Sequence, residues 1–397
     1  MAFPRPAALP LPPAGTVVGR DWLAEHGAAD DEVSGRHVQL LGDRRSLHVA
    51  DVGSRNGTWL HGRALPPGEP GQLTDGTVLR MGRTLLVYRE GLEGPLAPSP
   101  PIGELVGPYG LRAVADAIDA LRRQAPGNVL IEGETGTGKE LAAAAVAEAL
   151  GRPRPFQAVN VAGVASGVFE SQLFGHVAGA FSDARRSSPG IIAAHAGGTV
   201  FLDEIGELPL DLQPKLLRLV ENREILAVGA ERSSHADVLL VAATNRSLEQ
   251  MVEQGTFRRD LHARLALAAI QLPPLRERAE DIFAVAQAVG ARSGIALDPD
   301  DPGVEAEAVE RLLLDPWPSN VRGLIATLGR ARALDPAPGL RLWAVERILG
   351  PSLPSPPGQL SREMVQAALD ASAGNEAQAA RRLGVSRGKL RRFLGKA

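Results

Sequence analysis

The stretch VLIEGETGTGKELAAAAVAEAL, residues 129–150, decides the fold of the largest part of this chain. It opens with an apolar run suited to a strand buried on both faces, passes through Gly133, Gly136 and Gly138, and continues after Lys139 as an alanine-rich helical stretch. Glycines so placed let backbone N–H groups turn inward around phosphate oxygens. Lys139 can reach the terminal phosphates, and the helix start adds its dipole. The loop Gly133, Glu134, Thr135, Gly136, Thr137, Gly138, Lys139, Glu140 therefore reads as a P-loop. Glu140 departs from the general pattern, in which Ser or Thr follows the lysine and helps to hold magnesium.

Downstream, GGTVFLDEIGELP carries an apolar strand ending in Asp203 and Glu204. Alone, such a pair is an ordinary solvated strand end. Beside a P-loop, the first carboxylate can hold Mg2+ and the second can polarise the attacking water. A third strand, DVLLVAATN, ends in Thr244 and Asn245, polar groups able to sense a γ-phosphate. GTFRRDLHARL places Arg258 and Arg264 six residues apart, and WPSNVRGL places Arg322 after a tryptophan-proline turn. Strands alternate with helical stretches from about 107 to 349, the pattern of a parallel sheet with crossover helices.

These motifs, in this order, resemble the AAA+ domain of bacterial enhancer-binding proteins, the activators of sigma-54 RNA polymerase. GETGTGKE resembles that family's P-loop, its glutamate after the lysine included. FLDEIGELP resembles its Walker B, and AATNRSLEQMVEQGTFRRDLHARL its sensor I and arginine-finger stretch. LPPLRERAEDI resembles the entry to its lid, and WPSNVRGL its sensor II. The resemblance covers about half of the chain. It implies an ATPase active as a ring, usually a hexamer, with Arg258 and Arg264 reaching the neighbouring subunit's nucleotide. Asn160, in FQAVNVAGV, matches the asparagine that restrains the catalytic glutamate. The family's sigma-54 contact loop, GAFTGA, appears here as Gly179, Ala180, Phe181, Ser182, Asp183 and Ala184. Asp183 adds a charge and restricts a backbone that glycine leaves free. Gln172 and Gly323 replace two glutamates of the family pattern. The hydrolysis motifs are all present, whereas Ser182 and Asp183 alter the loop that delivers that work to sigma-54.

Before this domain, short apolar runs (TVVGR, HVQLL, SLHVAD, TVLRMG, TLLVY) alternate with Gly, Asp and Asn turns, the pattern of an all-β sandwich. Gly19-Arg20, Ser34-Gly35-Arg36-His37 and Gly53-Ser54-Arg55-Asn56-Gly57-Thr58 fall at strand ends. Each alone is ordinary turn chemistry. Together they resemble the forkhead-associated domain, which implies that Arg20 and Ser34 bind phosphothreonine, Asn56 holds the peptide backbone and His37 is architectural. Arg55 adds a second charged donor. A packing-only sandwich is the alternative.

At the other end, GNEAQAARRLGVSRGKLRRFL has the helix, tight turn and helix of a helix-turn-helix. It resembles the Fis-type DNA-binding domain, with Arg387, Lys389, Arg391 and Arg392 as candidate DNA contacts. Residues 360–397 carry eight basic and three acidic side chains, a surplus of +5, and the other 359 residues sum to −8. The net charge of −3 thus conceals a basic tail.

The expected architecture is multidomain. A forkhead-associated all-β sandwich spans 14–90, preceded by a proline-rich tail, and a linker spans 91–104. The AAA+ P-loop domain follows as an α/β part over 105–275 and a helical lid over 276–349. A second linker covers 350–359, and an all-α helix-turn-helix closes the sequence at 360–397. With no cysteine there is no disulfide framework or Cys-liganded zinc. No signal-peptide pattern or long apolar run is present, so the expected location is the cytoplasm, with no membrane partner.

Three functions fit these readings. In the first, a phosphothreonine-responsive, DNA-bound ring hydrolyses ATP to remodel sigma-54 polymerase. The second keeps this architecture without sigma-54, because the loop reads GAFSDA. The third is a DNA-bound phosphopeptide scaffold with an idle nucleotide site.

Overall fold

The computed structural model describes residues 1–43, 46–92, 94–162 and 166–351, with a few isolated positions between 366 and 372. Arg387, Lys389, Arg391 and Arg392 of the expected helix-turn-helix lie outside the described residues.

The amino-terminal region forms two four-stranded antiparallel sheets. One runs in the order Val17–Val18, Val38–Asp43, Ser46–Asp51, Pro70–Gln72; the other runs Arg63–Leu65, Thr58–Leu60, Val78–Met81, Thr84–Val87. The run TVVGR is strand only at Val17–Val18, because Arg20 opens the short helix Arg20–Glu25. Gly19 explains the break. A Cβ there would lie 2.0 Å from the Gly35 carbonyl oxygen, so only glycine lets the two loops touch.

Of residues 1–12, expected as a tail outside a domain starting at 14, Met1, Ala2 and Phe3 are instead buried. Ala2 donates its N–H to the Leu85 carbonyl at 2.9 Å, so this segment covers the edge strand Thr84–Val87. Phe3, fully buried, meets Phe283 edge-on at 4.9 Å. The proline content misleads here, since the apolar triplet ahead of it is what docks.

The central region builds a five-stranded parallel sheet in the order Phe156–Asn160, Thr199–Asp203, Leu239–Thr244, Asn128–Glu132, Ala269–Gln271. Its central strands have apolar interiors, Val200 to Leu202 and Leu239 to Ala243, because helices cover both faces. The helix Lys139–Ala149 packs on it through Ala142, Ala143, Val146 and Ala147, small side chains that permit close approach. A kinked 3-10 segment, Leu275–Asp281, leads into four lid helices: Ile282–Arg292, Ala306–Leu313, Asn320–Leu334 and Leu342–Leu349. Trp317 anchors the lid core and donates its indole N–H to the Leu312 carbonyl at 2.8 Å. Among the described residues no helix is long and apolar enough to cross a membrane.

The sandwich docks on this lid. Val78 and Leu85 of the sandwich share one apolar cluster with Phe283, Val309 and Leu312 of the lid. Arg80 places its Nε 2.7 Å from Glu310 and an Nη 2.8 Å from Glu307, over the Trp59 ring. Arg83 donates to the carbonyls of Pro299, Asp301 and Val304. Both side chains of the Arg80–Glu310 pair are more than nine-tenths buried.

Candidate functional site

The strand order puts the predicted catalytic motifs along the carboxyl edge of one sheet, where open α/β sheets bind ligands. Asn160 and Asp203 are register partners on adjacent strands, and Thr244 pairs with Glu132 at the mouth of the P-loop. Asn245 donates its side-chain N–H to the Thr135 hydroxyl at 2.9 Å, joining the predicted sensor to the loop directly. Lys139 is buried, and its ammonium donates to the Gly133 carbonyl at 3.0 Å and the Glu134 carbonyl at 3.3 Å. That charge stands at the helix start, as binding a polyphosphate requires.

Asp203 accepts the Glu204 backbone N–H on one carboxylate oxygen at 3.0 Å. The other oxygen suits a hard cation such as Mg2+. Glu204 adopts φ +57°, ψ +50°, a left-handed conformation rare for a side-chain-bearing residue and common where function imposes strain. Asn160 is beside this pair, but its side-chain oxygen accepts the Ala162 N–H at 2.8 Å and makes no hydrogen bond to Glu204.

The lid closes over the loop. Gly136 (φ +82°) has no room for a side chain, since a Cβ would lie 2.3 Å from the Ser319 carbonyl and 3.1 Å from the Arg322 Cβ. Arg322 thus stands with its Cβ against the P-loop. Leu105, Val106, Gly138, Leu141, Val289 and Arg292 line a small, mostly apolar cleft beyond it.

Sequence reading missed the neighbouring Asn320. Fully buried, it donates to the Thr135 carbonyl at 3.0 Å and to Glu134 at 3.1 Å, and its own oxygen accepts the Leu275 N–H at 2.7 Å. Arg276 adds a two-pronged pair to Glu134, at 2.8 and 2.6 Å. Hydrogen bonds from Arg276 and Asn320 hold the Glu134 carboxyl down at about 2. Their positions in LRERAED and SNV were visible, but not that both meet the P-loop.

Arg258 and Arg264 do not join this site. Arg258 pairs with Asp260 at 2.7 Å and Arg264 with Glu221 at 2.7 Å, both exposed. The predicted sigma-contact loop is pinched by the Gly179 N–H, which donates to the Ala184 carbonyl at 2.8 Å. Phe181 is exposed, with its ring 5.0 Å from that of His176. Gly179 needs its positive φ, but Asp183 does not adopt one, so the expected backbone restriction costs nothing in this conformation. Ala180 and Ser182 complete the turn.

In the sandwich, Arg20 donates its backbone N–H to the Ser34 carbonyl at 3.0 Å, and Ser34 Oγ accepts the Arg55 N–H at 3.0 Å. Asn56 donates to the Glu32 carbonyl at 2.7 Å. All four predicted phosphopeptide residues therefore gather on one loop cluster. His37, fully buried, accepts the Ser34 N–H on Nδ1 and faces the Gly57 carbonyl with Nε2, the neutral form with its proton on Nε2. Asp51 was missed. Buried beneath Gly53–Thr58, it accepts from the Gly53 and Ser54 N–H groups and the Ser54 and Thr58 hydroxyls at 2.6–2.7 Å. Burial pushes its carboxyl up, but these hydrogen bonds outweigh it and leave it below the usual aspartate range. Its signal was only an aspartate at a strand end.

A parallel sheet with a P-loop, a paired carboxylate edge and a helical lid defines the nucleotide-binding domain of an AAA+ ATPase. Residues 110–271 match the Sigma-54 interaction domain family, residues 16–82 the FHA domain and residues 357–396 the Fis family of bacterial regulatory proteins. The regulatory protein LuxO of Vibrio cholerae is 45% identical over 205 residues, 51% of this chain and 39% of LuxO. The transcriptional regulatory protein ZraR of Klebsiella oxytoca is 36% identical over 310 residues, 75% of this chain and 67% of ZraR. A crystal structure of NtrX from Brucella abortus in complex with ATP superposes with a TM-score of 0.53 at 27% identity, covering 74% of this chain and 69% of that one. The chain belongs to the family of sigma-54-dependent transcriptional regulators, with an FHA domain ahead of the AAA+ domain and a Fis-type domain after it. It spans about two-fifths to one-half of the length of several curated relatives that it matches.

Proposed function

We propose that this chain is a phosphothreonine-responsive regulator that binds DNA through its Fis-type domain and hydrolyses ATP as an oligomeric ring to remodel sigma-54 RNA polymerase. The observation that carries the ATPase reading is the meeting of P-loop, Asp203–Glu204 and Thr244–Asn245 at one sheet edge under Arg322. Lys139 would hold the terminal phosphates. Asp203 would hold Mg2+, which supplies charge neutralisation across the phosphates, and Glu204 would take a proton from the attacking water. Arg258 and Arg264, exposed and paired with Asp260 and Glu221 rather than with their own P-loop, would serve the nucleotide of the next subunit of a hexamer. Asn160 would restrain Glu204 after a side-chain turn. A cytoplasmic location accords with these partners.

Exposed Phe181 supports sigma-54 contact, and the acidic Asp183 beside it supports the reading without sigma-54. Trapping the full chain with ADP and aluminium fluoride and adding purified sigma-54 distinguishes them. A stable complex is expected; turnover of ATP with no such complex would establish the second reading.

Phosphopeptide reading rests on the Arg20, Ser34, Arg55 and Asn56 cluster. Replacing Asp51 with Ala strands two N–H groups and two hydroxyls, costing about 3 kcal/mol. Phosphothreonine-peptide binding, measured by calorimetry, is expected to disappear while ADP binding stays. Because the native carboxyl is depressed, its stabilisation is present above the ordinary aspartate range. It is lost as pH falls through the lower folded value, so acid should reproduce the variant.

A further inference from the structure

The segment Leu275–Asp281 touches the nucleotide loop on one side and the sandwich on the other. On the first side, Arg276 grips Glu134, and the Leu275 N–H is held by Asn320, which itself binds Thr135. On the second, Arg89 of the sandwich places Nε 2.9 Å from Glu280, donates a further bond to the same carboxylate, and donates to the Glu277 carbonyl at 2.7 Å. Arg89 is itself steadied by Asp75 at 3.0 Å. Both Arg89 and Glu280 are largely buried, so this contact is far less screened than a surface pair.

The segment has little freedom to absorb a displacement. Its carboxyl end is fixed by Asp281, fully buried, which accepts the Tyr109 and Gly110 N–H groups at 3.0 and 2.9 Å. Arg278, also buried, donates to the Val106 carbonyl and lines the cleft beside the P-loop. The backbone is non-helical at Arg278 (φ −131°, ψ 51°), between Glu277 and Glu280, the two residues that Arg89 grips. Glu277, gripped through its carbonyl, is the immediate neighbour of Arg276.

We propose that Arg276 is a positioning residue for the nucleotide, and that the sandwich sets its placement through Arg89, so that the docked domain tunes nucleotide affinity from outside the site. This inference rests on the ATP reading above but not on phosphopeptide binding. Arg89 touches neither the P-loop nor the carboxylate edge, so its effect must pass through the segment.

The test is ADP affinity of the full chain, measured by titration calorimetry. Arg89→Ala is expected to weaken ADP binding roughly tenfold, the scale of coupling within one hydrogen-bonded network. Arg276→Ala should weaken it at least as much. The double variant should be no weaker than Arg276→Ala alone, because the first change acts through the second residue. Arg89→Lys, which keeps a charge for Glu280, should recover most of the affinity, an outcome that general loss of packing would not produce. Thermal unfolding selects the variants that remain folded, and Glu280→Gln serves in place of Arg89→Ala if that variant does not. Unchanged affinity in the Arg89 and Glu280 variants, or losses that multiply in the double variant, would overturn the inference and leave the ATP reading intact. Failure of the unaltered chain to bind ADP would overturn both.

Discussion

Glu204→Gln is expected to lower ATP turnover by about 10²- to 10⁴-fold, the usual contribution of a positioned general base. Glutamine keeps the volume and the hydrogen-bonding reach of the side chain but cannot take a proton from water. The backbone should tolerate it, because the left-handed conformation at 204 is already occupied by a residue with the same Cβ and Cγ. Asp203 and the P-loop are untouched, so ADP should bind within about twofold of the unaltered chain, and phosphate release measured alongside calorimetry separates the two quantities. Equal turnover in the variant would remove Glu204 from the reaction. A turnover already absent from the unaltered chain, with ADP still bound, would favour the scaffold with an idle site.

Arg80→Ala is expected to undock the sandwich from the lid. The change leaves Glu310 buried without its main partner, and it removes the guanidinium from the face of Trp59. Breaking a buried ion pair from one side costs about 3–5 kcal/mol, more than the usual 0–1 kcal/mol of a surface pair. Burial already pushes the Glu310 carboxyl up despite Arg80 drawing it down, so without Arg80 it should take up a proton more readily. Thermal unfolding should change from one cooperative transition to two, with the sandwich and AAA+ domain melting separately. If the transition stays single and unshifted, Arg80 does not hold the domains together. Undocking also withdraws Arg89 from the Leu275–Asp281 segment, so ADP affinity should fall in the same variant.

Legibility in the sequence differed by element for physical reasons. The P-loop was fully readable because its chemistry is local: Gly136, Gly138 and Lys139 act within one turn of chain. The strand ending in Asp203 and that ending in Thr244 were readable because a strand buried on both faces is an apolar run. Phe156–Asn160 and Ala269–Gln271 were not recognised as strands in their own right, the first being half-exposed at the sheet edge and the second only three residues long. In the sandwich, the loop motifs identified Arg20, Ser34 and Asn56. Asp51 escaped notice because it works only once the Gly53–Thr58 loop has folded over it.

The chain's own residues, read in order, determined the three domain classes, the nucleotide chemistry and the residues available for it, since glycines, a lysine and strand-end carboxylates act through short-range geometry. Tertiary structure alone decided that Ala2 and Phe3 cover the sandwich edge, that Arg258 and Arg264 stand apart from their own P-loop, and that Asn320 and Arg276 clamp it. It also decided that Arg80 and Arg89 meet Glu310 and Glu280 across some 190 to 230 positions of sequence. Isolated arginines and glutamates carry no local pattern of partnership. Their pairing is set by which surfaces the packed cores bring together, and burial then makes the loss of either partner costly.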